Sequence, residues 1–269
     1  MNQFSSAWLE LREPYDQRAR SDRLTRELDS RLNPNRRIRC IDLGSGTGAN
    51  VRYLSKRIQT PQAWTCIEYD TTLTERLASN LRDTLHPPHQ FDIQTLDVVN
   101  DWTALDLQCD VITASALLDL VSESWLRQLA RTCGERKIAY GYFALSFNGE
   151  LRWTPNHSLD SWIADQFRAH QRTDKGFGAA IGPDAAGVTA AAFERCGYSV
   201  LTASTPWCFG PEDRDIQSAL LSGYVGAAID MSPAKRAAIE QWAVDRSELI
   251  ARGVSTHVVG HTDVFVVCR

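Results

Sequence analysis

Six residues are spaced so that they could hold one ligand: Asp42, Gly44, Gly46 and Gly48 in IRCIDLGSGTGANVRYLS, then Glu68 and Asp97. A glycine turn between a strand and a helix lets backbone N–H groups face a ligand closely, as in phosphate-binding turns. Counted from Gly44, the dinucleotide spacing G-x-G-x-x-[GA] is met, with Ala49 last. The charge of Asp42 separates two kinds of ligand. A carboxylate two residues before the turn repels a pyrophosphate and attracts an amine or another cation. Glu68, placed where a second strand should end, can accept both hydroxyls of a ribose. S-adenosylmethionine carries a ribose, a sulfonium and an α-ammonium group, whereas a nicotinamide cofactor carries riboses and a pyrophosphate. Glu68 suits either; Asp42 favours the sulfonium.

These residues need a scaffold that brings strand ends together. Ile38 to Leu43 reads as a buried parallel strand, and Ala49 to Leu54 opens a helix. Further strands are expected at 63–70, 91–97, 109–115, 137–147 and 198–204, with a closing strand in VFVVCR. Helices are expected from Thr71 to about Leu85, from about Ser122 to Cys133, and over AAGVTAAAFERCG. Alternating strands and helices imply a doubly wound, mostly parallel α/β sheet, here of seven strands. Ahead of it, residues 5–32 carry a helical pattern broken at Pro14, with Leu24, Leu28 and Leu32 on one face. The expected organisation is an N-terminal helical cap over 1–36 and a main domain over 37–269. Two helical insertions interrupt that domain, at about 148–183 after strand five and 207–254 after strand six. In the second, one helix presents Leu220, Leu221, Tyr224, Val225 and Ile229 on one face. The other is capped by Ser232 and buries Ile239, Trp242, Leu249 and Ile250.

Composition narrows the class. With 269 residues, 43% hydrophobic and 23% charged, the chain is an ordinary globular protein. A net charge of −4 with no basic run argues against nucleic acid or an anionic membrane as the partner. No apolar run reaches the roughly 20 residues of a membrane span, and the start lacks a signal peptide's apolar core. The seven cysteines are far apart and form no C-x-x-C pair, which reads as small core residues in a reducing cytoplasm. His257 and His261 share a strand face but lack a third ligand, so no metal site is expected.

IDLGSGTG with Glu68 and Asp97 resembles the class I S-adenosylmethionine-dependent methyltransferases, closely over residues 38–147 and more loosely at both ends. By that resemblance Asp42, Gly44, Ser45, Gly46 and Gly48 hold the methionine half of the cofactor. Glu68 takes the ribose and Tyr69 packs beside the adenine. Asp97 accepts from the adenine amino group with Val98 along the ring, and Ser115 sits near the methionine and the acceptor. The last strand, with 263–268 as its candidate, would run antiparallel to the others.

The acceptor is less legible. Strand four ends TASALLD, which is not the [ND]-P-P-[YFW] turn of adenine or glutamine methylases, and no Pro-Cys pair follows it. A small molecule methylated on O or N is expected, with a homodimer as the candidate assembly. In AHQRTDKGFG, His170 is a candidate general base, and Arg172 and Lys175 could receive a substrate carboxylate or phosphate. Asp119 is a second candidate base, or a cap for the next helix. On the N-terminal helix, Arg12, Tyr15 and Arg20 could fold over the cofactor, Arg20 pairing the methionine carboxylate. Trp207, Phe209, Tyr224 and Trp242 suit either a flat acceptor or a core. The competing functions are a nicotinamide-dependent oxidoreductase and a non-catalytic S-adenosylmethionine-binding protein.

Overall fold

The computed structural model describes residues 5–99, 101 and 106–269. Its sheet has eight strands: β1 Ile38–Leu43, β2 Gln62–Glu68, β3 Gln90–Thr95, β4 Val111–Ser115, β5 Tyr140–Thr154, β6 Tyr198–Ser204, β7 Trp207–Phe209 and β8 Thr256–Cys268. They lie in the order β3-β2-β1-β4-β5-β8-β6, with β7 also paired to β8. The first five run parallel, and β8 is antiparallel to β5, β6 and β7. The expected antiparallel last strand is therefore present, and it starts seven residues before Asp263. The seven expected strands gain an eighth, β7. Three residues alternating buried, exposed, buried are too few for a periodic pattern to stand out.

Helices cover both faces. α2 (Asp22–Arg31), α3 (Ala49–Ser55) and α4 (Thr71–Thr84) bury Leu24, Leu28, Val51, Leu54, Leu77 and Leu81 against Cys40, Trp64, Cys66 and Val111. On the opposite face α5 (Glu123–Glu135) and α7 (Ala185–Arg195) bury Leu126, Leu129 and Phe193 against Ile41, Ile112 and Phe143. The first helix, α1 (Ser6–Ala19), runs through Pro14, and the break falls at Arg20–Ser21 instead. There the Ser21 hydroxyl accepts from the Leu24 N–H at 3.2 Å, and the Ser21 N–H donates to Asp263. A well-bonded cap outcompetes the single hydrogen bond that Pro14 removes.

Residues 148–154 do not leave the sheet. Instead β5 continues to Thr154, paired with β8 from Thr256, across irregularities between Phe143 and Ser146 and between Phe147 and Leu151. This long arm carries a third core. Phe147 and Trp153 pack there with α6 (Asp160–Gln171), α8 (Arg214–Met231) and α9 (Arg236–Ala251). Trp207, Phe209, Tyr224 and Trp242 are all buried in it. Leu249 is only half-buried, and the Ser232 hydroxyl donates to Gln166 rather than capping α9, because a 3-10 turn at Pro233–Lys235 intervenes. The fully buried Arg246 of α9 donates to both Asp160 oxygens, and Trp242 Nε1 donates to Asp160 Oδ1 at 2.9 Å.

Removing one partner of a buried ion pair leaves the other charge uncompensated. Asp160→Ala is therefore expected to destabilise the chain by about 3–5 kcal/mol. Urea denaturation checks this, and a loss below about 1 kcal/mol would show that Arg246 finds water or another acceptor.

Candidate active site

The C-terminal ends of β1, β2, β3 and β4 converge on one cavity of about 340 Å³. Such a strand-end crevice is where open α/β sheets bind ligands. The glycine turn forms its floor. The Ser45 N–H donates to the Ile67 carbonyl at 2.9 Å, and the Gly46 N–H donates to Glu68 Oε2 at 2.6 Å. Gly46 and Gly48 both sit at positive φ, which a side chain rarely adopts. A Cβ on Gly48 would also come within 2.8 Å of Leu77, and one on Gly46 within 3.2 Å of Leu9 on α1. The turn thus needs glycine for its backbone and for the close approach of two helices.

Of the predicted cofactor residues, Gly44, Ser45, Gly46, Glu68, Tyr69, Asp97, Val98 and Ser115 line this cavity. Glu68 and Asp97 are both buried, and Tyr69 is half exposed at the rim. Burial pushes the Glu68 carboxyl up, opposed by the N–H groups of Asp70 and Gly46 that bond to it. Asp97 Oδ1 accepts from the Val99 N–H at 2.8 Å. After β4, Ala116 adopts φ +51°, a left-handed backbone unusual for a residue with a side chain. Its N–H is held by the Ala144 carbonyl at 2.9 Å, and the turn carries Ser115, Ala116 and Leu117 into the cavity wall.

Three predicted cofactor residues lie behind that wall. Gly48 packs under α4, and Asp42 and Arg20 belong to a buried chain below the floor. Asp42 Oδ1 accepts from Asn50 Nδ2 at 2.6 Å and from Thr113 Oγ1 at 2.7 Å, and Asn50 Oδ1 accepts from Arg20 Nη1 at 2.8 Å. Asp42 Oδ2 has no hydrogen-bond partner among the described residues, and burial pushes this carboxyl up. Asn50 is the member that reaches the cavity. Arg20 lies between the rings of Tyr53 and Tyr142, behind Asn50, and does not itself line the cavity. Asp16 and Arg12, one and two turns earlier on α1, line the cavity instead. Asp16 and Asn50 carry no motif in the sequence. Their place depends on how α1 and α3 dock.

Of the predicted acceptor residues, His170 and Lys175 line the cavity, and Arg172 does not. Arg172 turns outward to Asp184 at 2.8 Å. Lys175 Nζ lies 3.3 Å from His170 Nδ1, and burial pushes the imidazole pKa down. Asp119 is buried behind the wall rather than in it, and Ser122 caps α5 in its place, accepting from the Trp125 N–H at 3.3 Å. Burial raises the Asp119 carboxyl to about 6, with the Arg12 charge and the Phe147 N–H opposing. His257 and His261 are buried in β8, and burial lowers both to about 3. His257 Nε2 lies 2.9 Å from the Tyr224 hydroxyl. No group of three His, Cys, Asp or Glu is placed to hold a metal among the described residues. Nor is any helix among them long and apolar enough to cross a membrane.

A Rossmann-like sheet ending in this strand order, with acidic residues at successive strand ends around a glycine turn, is a methyltransferase architecture. The chain belongs to the methyltransferase-domain family, which matches residues 15–161. The resemblance to class I S-adenosylmethionine-dependent methyltransferases holds. Its fold is similar to the cyclopropane synthase MmaA2 from Mycobacterium tuberculosis, with a TM-score of 0.55 at 11% identity over 98% of this chain and 94% of that one. It is also similar to an S-adenosylmethionine-dependent methyltransferase from Geobacter sulfurreducens solved with S-adenosyl-L-homocysteine. There the TM-score is 0.50 and the identity 13%, over all of both chains. No curated protein sequence matches the chain.

The raised Asp119 pKa sets a pH dependence. The folded chain binds this proton more tightly than the unfolded chain, whose carboxyl titrates near 3.8. The residue's contribution is complete below that value and is lost as the pH rises through about 6, a change of at most about 3 kcal/mol. Asp119→Asn stays neutral throughout and should gain stability relative to the parent between about pH 4 and pH 8. Urea titrations at both values test this; an equal offset at the two would contradict the assignment.

Proposed function

We propose that this chain transfers the methyl group of S-adenosylmethionine to an O or N atom of a small-molecule acceptor entering between α1 and α6. The observation that carries this reading is that Glu68 and Asp97, at the ends of neighbouring strands, line one cavity with the glycine turn and continue into an apolar half. The residues fit the cofactor. Glu68 takes the ribose hydroxyls; its oxygens each bond one backbone N–H and keep a second lone pair. Tyr69 and Val98 flank the adenine, and Asp97 accepts from its amino group. Gly44, Ser45, Gly46 and Asn50 hold the methionine half, with Asp42 beneath supplying the negative charge that an ammonium and a sulfonium need. When bound, S-adenosylmethionine supplies a methyl group on a good leaving group. The chain's own task is then to align the acceptor and receive any proton it sheds.

A small acceptor suits the remaining space, which Leu9, Leu117, Leu120 and Phe167 enclose. Lys175 offers a cation at its edge, oriented by His170. The net charge of −4 supports a partner other than nucleic acid.

Titration calorimetry with S-adenosylhomocysteine is expected to show micromolar binding, and NADH none. Asp42→Asn should weaken S-adenosylhomocysteine binding about tenfold, near 1.4 kcal/mol, and Glu68→Ala should weaken it further. Lys175→Ala should leave this affinity unchanged. Binding of NADH in place of S-adenosylhomocysteine would overturn the reading.

A further inference from the structure

The floor of the acceptor half carries more buried acid than base. Asp16 faces the cavity from α1 and is nine-tenths buried. Its Oδ2 accepts from Arg12 Nε at 2.9 Å, and its Oδ1 has no hydrogen-bond partner among the described residues. The Trp207 indole lies beside this carboxylate and favours its anion, yet Trp207 Nε1 also lacks a partner of hydrogen-bond geometry. Behind Asp16, Asp119 Oδ1 and His261 Nδ1 are buried and equally unpartnered among the described residues. The Arg12 charge bears on all three groups, and Arg20 bears on Asp16 as well.

The charges can be counted. Two guanidinium groups, Arg12 and Arg20, stand among four carboxylates: Asp16, Asp119, Asp42 and Asp263. His257 and His261 add nothing, because burial keeps both neutral. Asp42 lies under the glycine turn on the cofactor side, and Asp263 is consumed by Arg20, Tyr142, Thr205 and the N–H groups of Ser21 and Leu145. Of the four, Asp16 is the one that lines the cavity. An anionic head would be repelled by the Asp16 carboxylate. A hydroxyl would satisfy the oxygen and leave the charge. An ammonium does both.

We propose that Asp16, held by Arg12, anchors the head of a primary or secondary amine carried on an apolar body, and that this amine is the methyl acceptor. The proposal rests on the methyl-transfer reading above. The amine enters as an ammonium and gives one proton to Asp16 Oδ1, which frees its lone pair. That pair forms the N–C bond as the methyl carbon's bond to sulfur breaks, with its electrons left on the neutral thioether. The methylated product leaves as an ammonium, and Asp16 returns its proton to solvent. Burial, which raises the Asp16 carboxyl despite Arg12, favours the transfer. Leu9, Leu117, Leu120 and Phe167 provide the apolar wall for the body.

The test uses 2-phenylethylamine and 2-phenylethanol, each titrated into the S-adenosylhomocysteine-loaded protein. The amine should bind at least about tenfold tighter than the alcohol, and D16N should erase that preference while S-adenosylhomocysteine affinity stays the same. A loaded protein that binds the amine no better than the alcohol, or binds neither, overturns the amine anchor; so does a folded D16N that keeps the preference. If D16N does not fold, the preference of the parent protein decides alone. Failure of the parent to bind S-adenosylhomocysteine would instead sink the methyl-transfer reading.

Discussion

The buried chain Arg20–Asn50–Asp42 is the constraint on which the rest of the site depends. An arginine taken out of water is costly unless it is paired, hydrogen-bonded or stacked. Arg20 donates Nη1 to Asn50 at 2.8 Å, lies 3.7 Å from Asp263 and stacks on two tyrosine rings at 4.4 and 5.0 Å, while its Nε and Nη2 have no hydrogen-bond partner among the described residues. Those partners come from α3, β8 and β5, while Asp42 and Thr113 extend the chain to β1 and β4. The junction of the first two helices is thereby tied to the glycine turn itself. Withdrawing α1 and α2 would strand an ion deep in the sheet.

That tie explains how the cavity obtains its N-terminal wall. With Arg20 fixed, Arg12 and Asp16 follow at intervals of four residues on one face of α1, spread over about 12 Å of helix. They therefore line the cavity while Arg20 stays behind Asn50, below the glycine turn. The Glu13 carboxylate adds a second tie, accepting from Arg52 Nε of α3 at 3.1 Å. The opposite wall depends on the long arm of β5 and β8. Its aromatic core seats α6, α8 and α9, and so places Phe167, His170, Gly223 and Ala227 around the same space.

The glycine-turn end of the cavity was legible because its instructions are local. A strand, a turn that needs glycine and a following helix lie within 18 consecutive residues, and parallel topology then brings Glu68 and Asp97 to the same edge. The opposite end of the cavity has no such local record. Arg172 and Lys175 are three residues apart in one charged loop, yet one faces Asp184 and the other the cavity. Trp207, Phe209, Tyr224 and Trp242 had the composition of an aromatic pocket and became core, since hydrophobic content alone does not say which face is covered.

What the sequence by itself determined is the alternation of the first five strands with their helices, the glycine turn and the charges beside it. Backbone sterics and hydrophobic periodicity act over a few residues, so their outcome can be read along the chain. Only the tertiary structure decided that Arg12 and not Arg20 faces the cavity, that Asn50 stands between Asp42 and the ligand space, and that Asp119 is shut behind the wall. Those outcomes follow from where whole helices dock. Docking is set by the sum of many apolar contacts and by the need to partner each buried charge.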